Sequence, residues 1–490
     1  MVPLLSKSKF QLGLQCLRRL WLEVHRPELA LPLDPVAEAR FATGRQVGEL
    51  ARQCFPAGVL IEGAYYEHDQ ATARTAELLA DAGVPAIFEA GFTHDGVRVR
   101  VDVLERGLSG WRLIEVKSSG SLKEEHIPDL AVQHHVLAGC GVAVESDHLM
   151  RIDTSYVYDG EHLDPNHLLA VDDATDAVST ALGDIPAALA QQRQILALTD
   201  EPRIEPGFQC TSPWDCPFTA HCMSGKPKHW IRRLPRISRA AFDSLRERGV
   251  QDIADIPDDF PLQPLQRRIQ DVVRSGKAWV SPDLRDELAR IRYPIQFLDF
   301  ETINPAIPLY AGTRPYEKVP FQWSLYTASQ NGSITHRGFL FDQGGDPRRA
   351  VADSLLNALE EAGSIVAYNA SFEIGVISGL ADALPDLADP LCTLPTRIVD
   401  LLATVRQCYY HADLLGSFSL KQLVPVLVPD CAYDDLGIQD GSIASLEYLR
   451  MTAEPDPQER QRIRHDLLEY CKRDTWAMVR IWQELTTLAE

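Results

Sequence analysis

The segment Phe297-Leu298-Asp299-Phe300-Glu301 interrupts an apolar run with two carboxylates at positions i and i+2. In a strand those positions face the same side, so both acids project together. A carboxylate pair on a buried strand is costly unless something cationic meets it; otherwise the segment is a solvated strand end. Two later segments supply matching chemistry. Val366-Ala367-Tyr368-Asn369-Ala370-Ser371-Phe372-Glu373 reads as a strand, a short turn and a helix start, with Glu373 in the first helical turn. Tyr470-Cys471-Lys472-Arg473-Asp474 lies on the closing helical stretch, where a spacing of four puts Tyr470 and Asp474 on one face. Four acids and a phenol are the equipment of two-metal phosphodiester hydrolysis, in which paired cations clamp the attacking water and the leaving oxygen. Asp400, ending a strand, is a further candidate neighbour of the metal.

An independent constellation lies upstream. Asp102 sits in the strand pattern VRVRVDVLE, and Glu115 and Lys117 come next in Ile114-Glu115-Val116-Lys117. Glu115 and Lys117 share a strand face, and a neighbouring strand brings Asp102 beside them. Two carboxylates hold a divalent cation that acidifies a bound water, and an adjacent ammonium stabilises charge developing on a phosphate. An E-x-K triplet alone is usually a solvated face. The order favours a site: strand with Asp102, hairpin, strand with E-x-K, then a helix carrying Gln133. Glu89, on the preceding strand, is a further acid nearby.

Cys210, Cys216 and Cys222 fall within CTSPWDCPFTAHC, and Cys16 lies in the basic motif LQCLRRLWLE. Structural zinc usually prefers C-x2-C knuckles, which these spacings lack; an iron–sulfur cluster accepts looser spacing. Buried structural cysteines are the plain alternative. The remaining six, Cys54, Cys140, Cys392, Cys408, Cys431 and Cys471, read as ordinary core or surface residues. Ten cysteines in 490 residues are too few for a secreted disulfide scaffold.

Apolar residues make up 45% of the chain and charged residues 24%, so a core is available throughout. No apolar run approaches the ~18 residues of a membrane span, and MVPLLSKSKF lacks a signal-peptide hydrophobic stretch. A cytoplasmic protein with no membrane partner is expected. The net charge of −21 weighs against a nucleic-acid partner, because phosphate binding needs cationic surface. The acid excess is uneven, however: residues 1–52 carry eight Lys/Arg against five Asp/Glu, and residues 225–293 carry fifteen against ten. Local basic strips and bound metal ions still grip phosphate.

Periodicity predicts helices near 36–53, 72–82 and 124–139, with strands at 86–93, 97–104, 111–117 and near 148–158. A long Ala/Leu-rich helix is expected at 172–195. Residues 226–292, Arg-rich and broken by Gly249 and IPDDFPLQP, read as a basic helical connector. From residue 293, strands are expected near 295–301, 321–328, 335–342, 364–368 and 396–400, with helices near 348–362, from 371 and near 459–488. The predicted class is α/β, in three parts: 1–225, 226–292 and 293–490. The loop Tyr310–Lys318 interleaves aromatics with cations, suiting base stacking and phosphate contact; a plain surface loop is equally compatible.

The Asp102, Glu115-x-Lys117, Gln133 order resembles the PD-(D/E)XK nuclease core, particularly its RecB-like branch. The cysteine layout resembles the iron–sulfur nucleases of the RecB/AddB and CRISPR-associated RecB-like families. This resemblance, over residues 1–225, implies metal binding by Asp102 and Glu115, a catalytic Lys117 and a supporting Gln133. It also implies a 4Fe-4S cluster held by Cys16, Cys210, Cys216 and Cys222 as a structural staple. Gly48 stands where RecB-like members often carry a metal-binding histidine, and Val136 where an aromatic is common.

The C-terminal motifs resemble the DnaQ-like exonucleases of the RNase H-like superfold, in the variant with tyrosine in the third motif. That implies an RNase H-like domain with a mixed sheet, metal binding by Asp299, Glu301, Glu373 and Asp474, and a nucleophilic water oriented by Tyr470. Glu373 stands where the family usually has aspartate. Gly416-Ser417-Phe418-Ser419-Leu420-Lys421 resembles the helix start that comes after the second motif, or is a plain N-cap. Together the resemblances imply a metal-dependent nuclease with two active sites, using Mg2+ or Mn2+. DNA with single strands or free ends is the favoured substrate, cut from 3′ ends by the C-terminal half, in repair or defence. An RNA exonuclease, or a nucleic-acid-binding scaffold with one decayed core, stays open. Protein partners are not specified.

Overall fold

The computed structural model describes residues 4–63 and 67–490. It is mixed α/β, 49% helix and 17% strand, with mixed sheets. The chain forms two compact units. Met1–Gly225 with Pro305–Tyr316 make the first, and Lys226–Asn304 with Glu317–Glu490 make the second. Residues 226–292, expected as a separate connector, therefore fold as part of the second unit. Among the described residues no helix is long and apolar enough to cross a membrane.

Among the described residues the first unit is built on seven strands: β1 (Leu5–Ser6), β2 (Val59–Leu60), β3 (Ala86–His94), β4 (Val97–Arg106), β5 (Trp111–Lys117), β6 (Val144–Ile152) and β7 (Leu169–Asp173). Their order is β2-β3-β4-β5-β6-β7, with β1 alongside β4. β3, β4 and β5 form an antiparallel meander, and the helix His126–Gly139 carries the chain across to β6, parallel to β5. Alternation along the meander buries Val97, Val99 and Val101 with Leu130, Val136 and Leu137 of that helix. At Asp102 the alternation changes phase. Ile87 and Leu104 join the same core as Ala90 and Val101, whereas Phe88 and Val103 join the opposite one. The ladder lacks the Glu89–Asp102 pair, and Glu89 takes a left-handed φ of 57°. A paired irregularity thus turns both acids relative to their strands.

Two expectations are corrected in this unit. The strand near 148–158 is β6, ending at Ile152. The long helix at 172–195 is the strand β7 followed by two helices, Thr175–Leu182 and Ile185–Leu196. Pro186 explains the break: without an N–H it fits the first turn of a new helix and not the middle of an old one.

The second unit contains β8 (Trp279–Val280), β9 (Ile295–Ile303), β10 (Val319–Ala328), β11 (Ile334–Leu340), β12 (Ser364–Ala367), β13 (Ile398–Asp400) and β14 (Tyr409–Tyr410). The main sheet runs β11-β10-β9-β12-β13. β9, β10 and β11 form an antiparallel meander, and β12 and β13 add in parallel. Leu298, Phe300, Trp323, Leu325 and Ile365 pack on one face against helices Arg348–Ala358 and Ser371–Ala383. The 32-residue helix Pro457–Leu488 covers the other face, where Gln322 donates to the Leu467 carbonyl at 2.8 Å. Residues 226–292 attach at several points. Arg268 donates to the carbonyls of Arg406 and Gln407 and stacks 3.6 Å over Trp279, and β8 pairs with β14.

Candidate active sites

In the second unit, β9 carries Asp299 and Glu301 on the face toward the long helix, which supplies Tyr470, Cys471 and Asp474. A register shift between Pro320 and Gln322 on β10 lies opposite Glu301. Glu301, Glu373 and Asp474 are buried, and Asp299 is partly buried. Oxygens of Asp299 and Glu301 and the Cys471 sulfur all lie within 4.8 Å of one another. The Cys471 thiol points at Asp299 Oδ2, 3.6 Å away. Tyr433 donates its hydroxyl to Asp474 Oδ1, and Tyr470 hydrogen-bonds the same carboxylate.

The electrostatics are those of an uncompensated acid cluster. Burial, then the charges of Asp474, Glu301 and Glu373, push Asp299 well above the carboxylate range. Burial and Asp474 do the same to Glu301. Burial raises Glu373 to about 8 and Asp474 to about 6. Glu373 Oε2 is buried with no hydrogen-bond partner. Two cations lie nearby: Lys421, which bonds Asp440 at 3.1 Å and draws Glu301 and Asp474 downward, and Lys318, 4.4 Å over the Phe372 ring. A divalent ion fits between Asp299 and Glu301, whose oxygens lie within 4.8 Å of each other, with Asp474 and Glu373 in electrostatic reach.

Asp299, Glu301, Tyr470 and Asp474 are brought together as the sequence predicts, and Glu373 lies within electrostatic reach of Asp299 and Glu301. Asp400 caps the helix Leu401–Cys408, its Oδ1 accepting the Leu402 and Asn369 N–H groups at 3.0 Å each. Ser419 caps the helix Leu420–Leu427 and so fixes Lys421 at its start. Sequence reasoning missed Tyr433, which no local pattern marks. It also read Cys471 as an ordinary core or surface residue; the residue is fully buried, and its thiol lies among the acids of the cluster.

In the first unit, β4 and β5 bring Asp102, Glu115 and Lys117 together, and helix His126–Gly139 adds Gln133 and Asp129. Lys117 Nζ lies 2.7 Å from Glu115 Oε1 and 2.6 Å from Asp129 Oδ2. Gln133 donates to Glu115 Oε2 at 2.8 Å. Asp102 Oδ2 accepts the Val116 N–H at 2.8 Å. Lys7, unmarked in the sequence, reaches both Glu115 oxygens at 2.8 and 2.9 Å. Burial alone would raise Glu115, but the two ammoniums hold it well below the usual range. Asp102, buried beside the charged Glu115, is pushed up to about 7. Burial also raises Glu89.

Cys16 sits at the junction of helices Lys7–Gln15 and Leu17–His25. The neighbouring Gln15 side chain donates to the carbonyls of Gln209 and Trp214 at 2.7 and 2.6 Å, bringing this junction to the cysteine trio. The Cys216 N–H bonds the Cys210 carbonyl at 2.9 Å, and Cys222 lies on the short helix Thr219–Met223. None of the four is in a disulfide. Burial raises Cys222 to about 11, with contributions from Cys216, Cys210 and Cys16, so the four sulfurs share one electrostatic neighbourhood. The four thiols come from two chain segments.

The loop with base-stacking composition is anchored instead. Its Gly312 N–H and Thr313 carbonyl bond the Tyr158 backbone at 2.8 and 3.0 Å, Arg314 donates to the Ser155 carbonyl at 2.6 Å, and Tyr316 packs into the first unit's core.

No curated protein matches the chain. Residues 296–419, which hold Asp299, Glu301 and Glu373 but not Tyr470 or Asp474, match the family model described as Domain of unknown function (DUF2779).

Proposed function

We propose that the second unit is a divalent-cation-dependent phosphodiesterase that removes nucleotides from the 3′ ends of DNA. The observation that carries this reading is the buried cluster of Asp299, Glu301, Glu373 and Asp474, with the Glu373 Oε2 atom left without a partner. The strand order, an antiparallel meander extended by two parallel strands, supports the RNase H-like resemblance. Asp299, Glu301, Glu373 and Asp474 would hold Mg2+ or Mn2+, which supplies Lewis acidity and lowers the pKa of water. The Tyr470 hydroxyl, fixed by Asp474, orients the attacking water. Lys421, 5.7 Å over the Tyr470 ring, adds positive potential for an incoming phosphate.

For the first unit, the antiparallel meander, crossover helix and parallel β6 support a PD-(D/E)XK-like core. Cys16, Cys210, Cys216 and Cys222 would hold a 4Fe-4S cluster with a structural role. A nucleic-acid-binding scaffold whose nuclease core no longer cuts is favoured here over a second active nuclease, because Lys7 occupies both oxygens of Glu115.

Single-stranded DNA and RNA labelled at the 5′ or 3′ end, incubated with Mn2+ and with EDTA, test the reading. Shortening of 5′-labelled DNA from its far end, abolished by Asp299→Asn and by EDTA, is expected. Intact DNA under all conditions would refute it, and degradation confined to RNA would move the substrate to the other polymer.

A further inference from the structure

The first constellation carries its own counter-charge. β1 pairs in parallel with β4 at Val97 and Arg98, and Ser6 caps the next helix, accepting the Lys9 N–H at 3.1 Å. Lys7, the first residue of that helix, is thus fixed from both sides. Its ammonium contacts Glu115 Oε1 at 2.8 Å and Oε2 at 2.9 Å, and lies 3.9 Å from Asp129 Oδ1. Lys117 adds a second donor to Oε1, and Gln133 a second donor to Oε2. An ionised carboxylate offers about four lone-pair sites. Here each oxygen of Glu115 already receives two donors, which leaves none for a metal ion. Asp102 turns Oδ2 to the Val116 N–H.

An ammonium and a divalent ion differ in what they permit. Both neutralise buried carboxylates, but the ammonium has no open coordination position and activates no water. With Gly48 on the helix Pro35–Gln53, that helix offers no histidine to help a metal compete.

We propose that Lys7 is the resident cation of the Asp102–Glu115 centre, so that no divalent ion binds there and the first unit does not hydrolyse phosphodiesters. This rests on the scaffold reading of the first unit given above and gives it a single responsible residue.

Manganese binding read by electron paramagnetic resonance tests the idea without an activity assay. The full chain, freed of divalent ions, is titrated with Mn2+, and tightly bound ions are counted, with circular dichroism checking each variant's fold. Wild type, Glu115→Gln and Asp102→Asn should bind the same number. Lys7→Met should bind at least one more ion than wild type, and Lys7→Met combined with Glu115→Gln should lose that gain. A lower count in Glu115→Gln or Asp102→Asn alone would overturn the proposal, as would a folded Lys7→Met with no added ion. Should Lys7→Met fail to fold, the Glu115→Gln and Asp102→Asn counts decide alone. Asp299→Asn reports on the other reading: an unchanged count there would remove the metal centre of the second unit and leave the Lys7 result standing.

Discussion

Glu115 and Glu301 are both nearly inaccessible, 2% and 7% exposed, and both lie on strands beside other acids. Two lysines hold the first well below its ordinary pKa, while burial and Asp474 hold the second well above. Coulomb interaction between charges a few ångströms apart is large enough inside a protein to reverse the desolvation penalty. The second cluster therefore binds protons on folding when no cation is present. Glu373 and Asp474 titrate at about 8 and about 6 in the folded chain, against about 4 unfolded. Because these values are raised, the stability they contribute is complete below about pH 4 and is lost as pH climbs through about 6 to about 8. In EDTA, the melting temperature of the second unit should fall across that window, and Mn2+ should restore it most at the alkaline end. A pH-independent melting temperature with no Mn2+ effect would contradict the cluster's electrostatics. For catalysis, Tyr470→Phe should lower kcat roughly 10²-fold while leaving KM near wild type, as measured on 3′-recessed and single-stranded DNA. The acid pairs are legible in the sequence because strand parity alone puts i and i+2 on one side. Lys7 and Tyr433 are not, since each meets its partner across a long stretch of chain with no periodic mark.

At the scale of elements, β9 and β10 are buried along nearly their whole length and are marked by aromatic and β-branched residues, whereas alternation reveals β3, β4 and β5. It fails where the rhythm changes. The phase shift at Glu89 and Asp102 is invisible in VRVRVDVLE, because it comes from the backbone conformation of Glu89 on the partner strand. The end of β7 reads as helix because Ala and Leu dominate the residues beyond it, and five residues are too few to establish a period. The basic segment 226–292 looks like a linker by composition, yet its backbone is pressed against the rest of the second unit. A Cβ at Gly416, where φ is 82°, would lie 1.8 Å from the Arg233 carbonyl oxygen. Gly249 has a similar φ of 75° but open space around it. Gly249→Ala should therefore cost only the left-handed penalty of about 1–2 kcal/mol, whereas Gly416→Ala adds overpacking for about 3 kcal/mol or more in total. Urea unfolding of the two variants separates the contributions; equal losses would mean that the contact with Arg233 yields freely.

At the largest scale, the first unit contains a loop of nearly two hundred residues, from Cys16 to Cys210, whose two ends are brought back together. Gln192 donates to the Phe10 carbonyl at 3.0 Å, Trp21 to the Leu198 carbonyl at 3.0 Å, and Gln15 to the segment holding Cys210 and Cys216. The sequence suggests this closure only through its cysteines, since none of these hydrogen bonds has a local signature. Hydrogen bonds between neutral groups contribute about 1 kcal/mol each. A cross-link that removes the unfolded freedom of so long a loop contributes on the order of 4–5 kcal/mol. Thiolate-bound iron at Cys16, Cys210, Cys216 and Cys222 would make that link, and it would anchor the C-terminal end of the helix whose first residue, Lys7, enters the Glu115 centre. Protein purified without oxygen should be brown, with broad absorbance on the order of 400 nm from thiolate-bound iron, and Cys16→Ser should lose the colour. The same variant should exchange amide hydrogens faster in β3 to β6, while β9 to β12 keep wild-type protection, because the link constrains only the first unit's chain. A colourless protein with stoichiometric zinc would replace iron as the linking ion while retaining the topological argument. Unaltered exchange in β3 to β6 after Cys16→Ser would defeat it, for the hydrogen bonds alone would then be holding the ends.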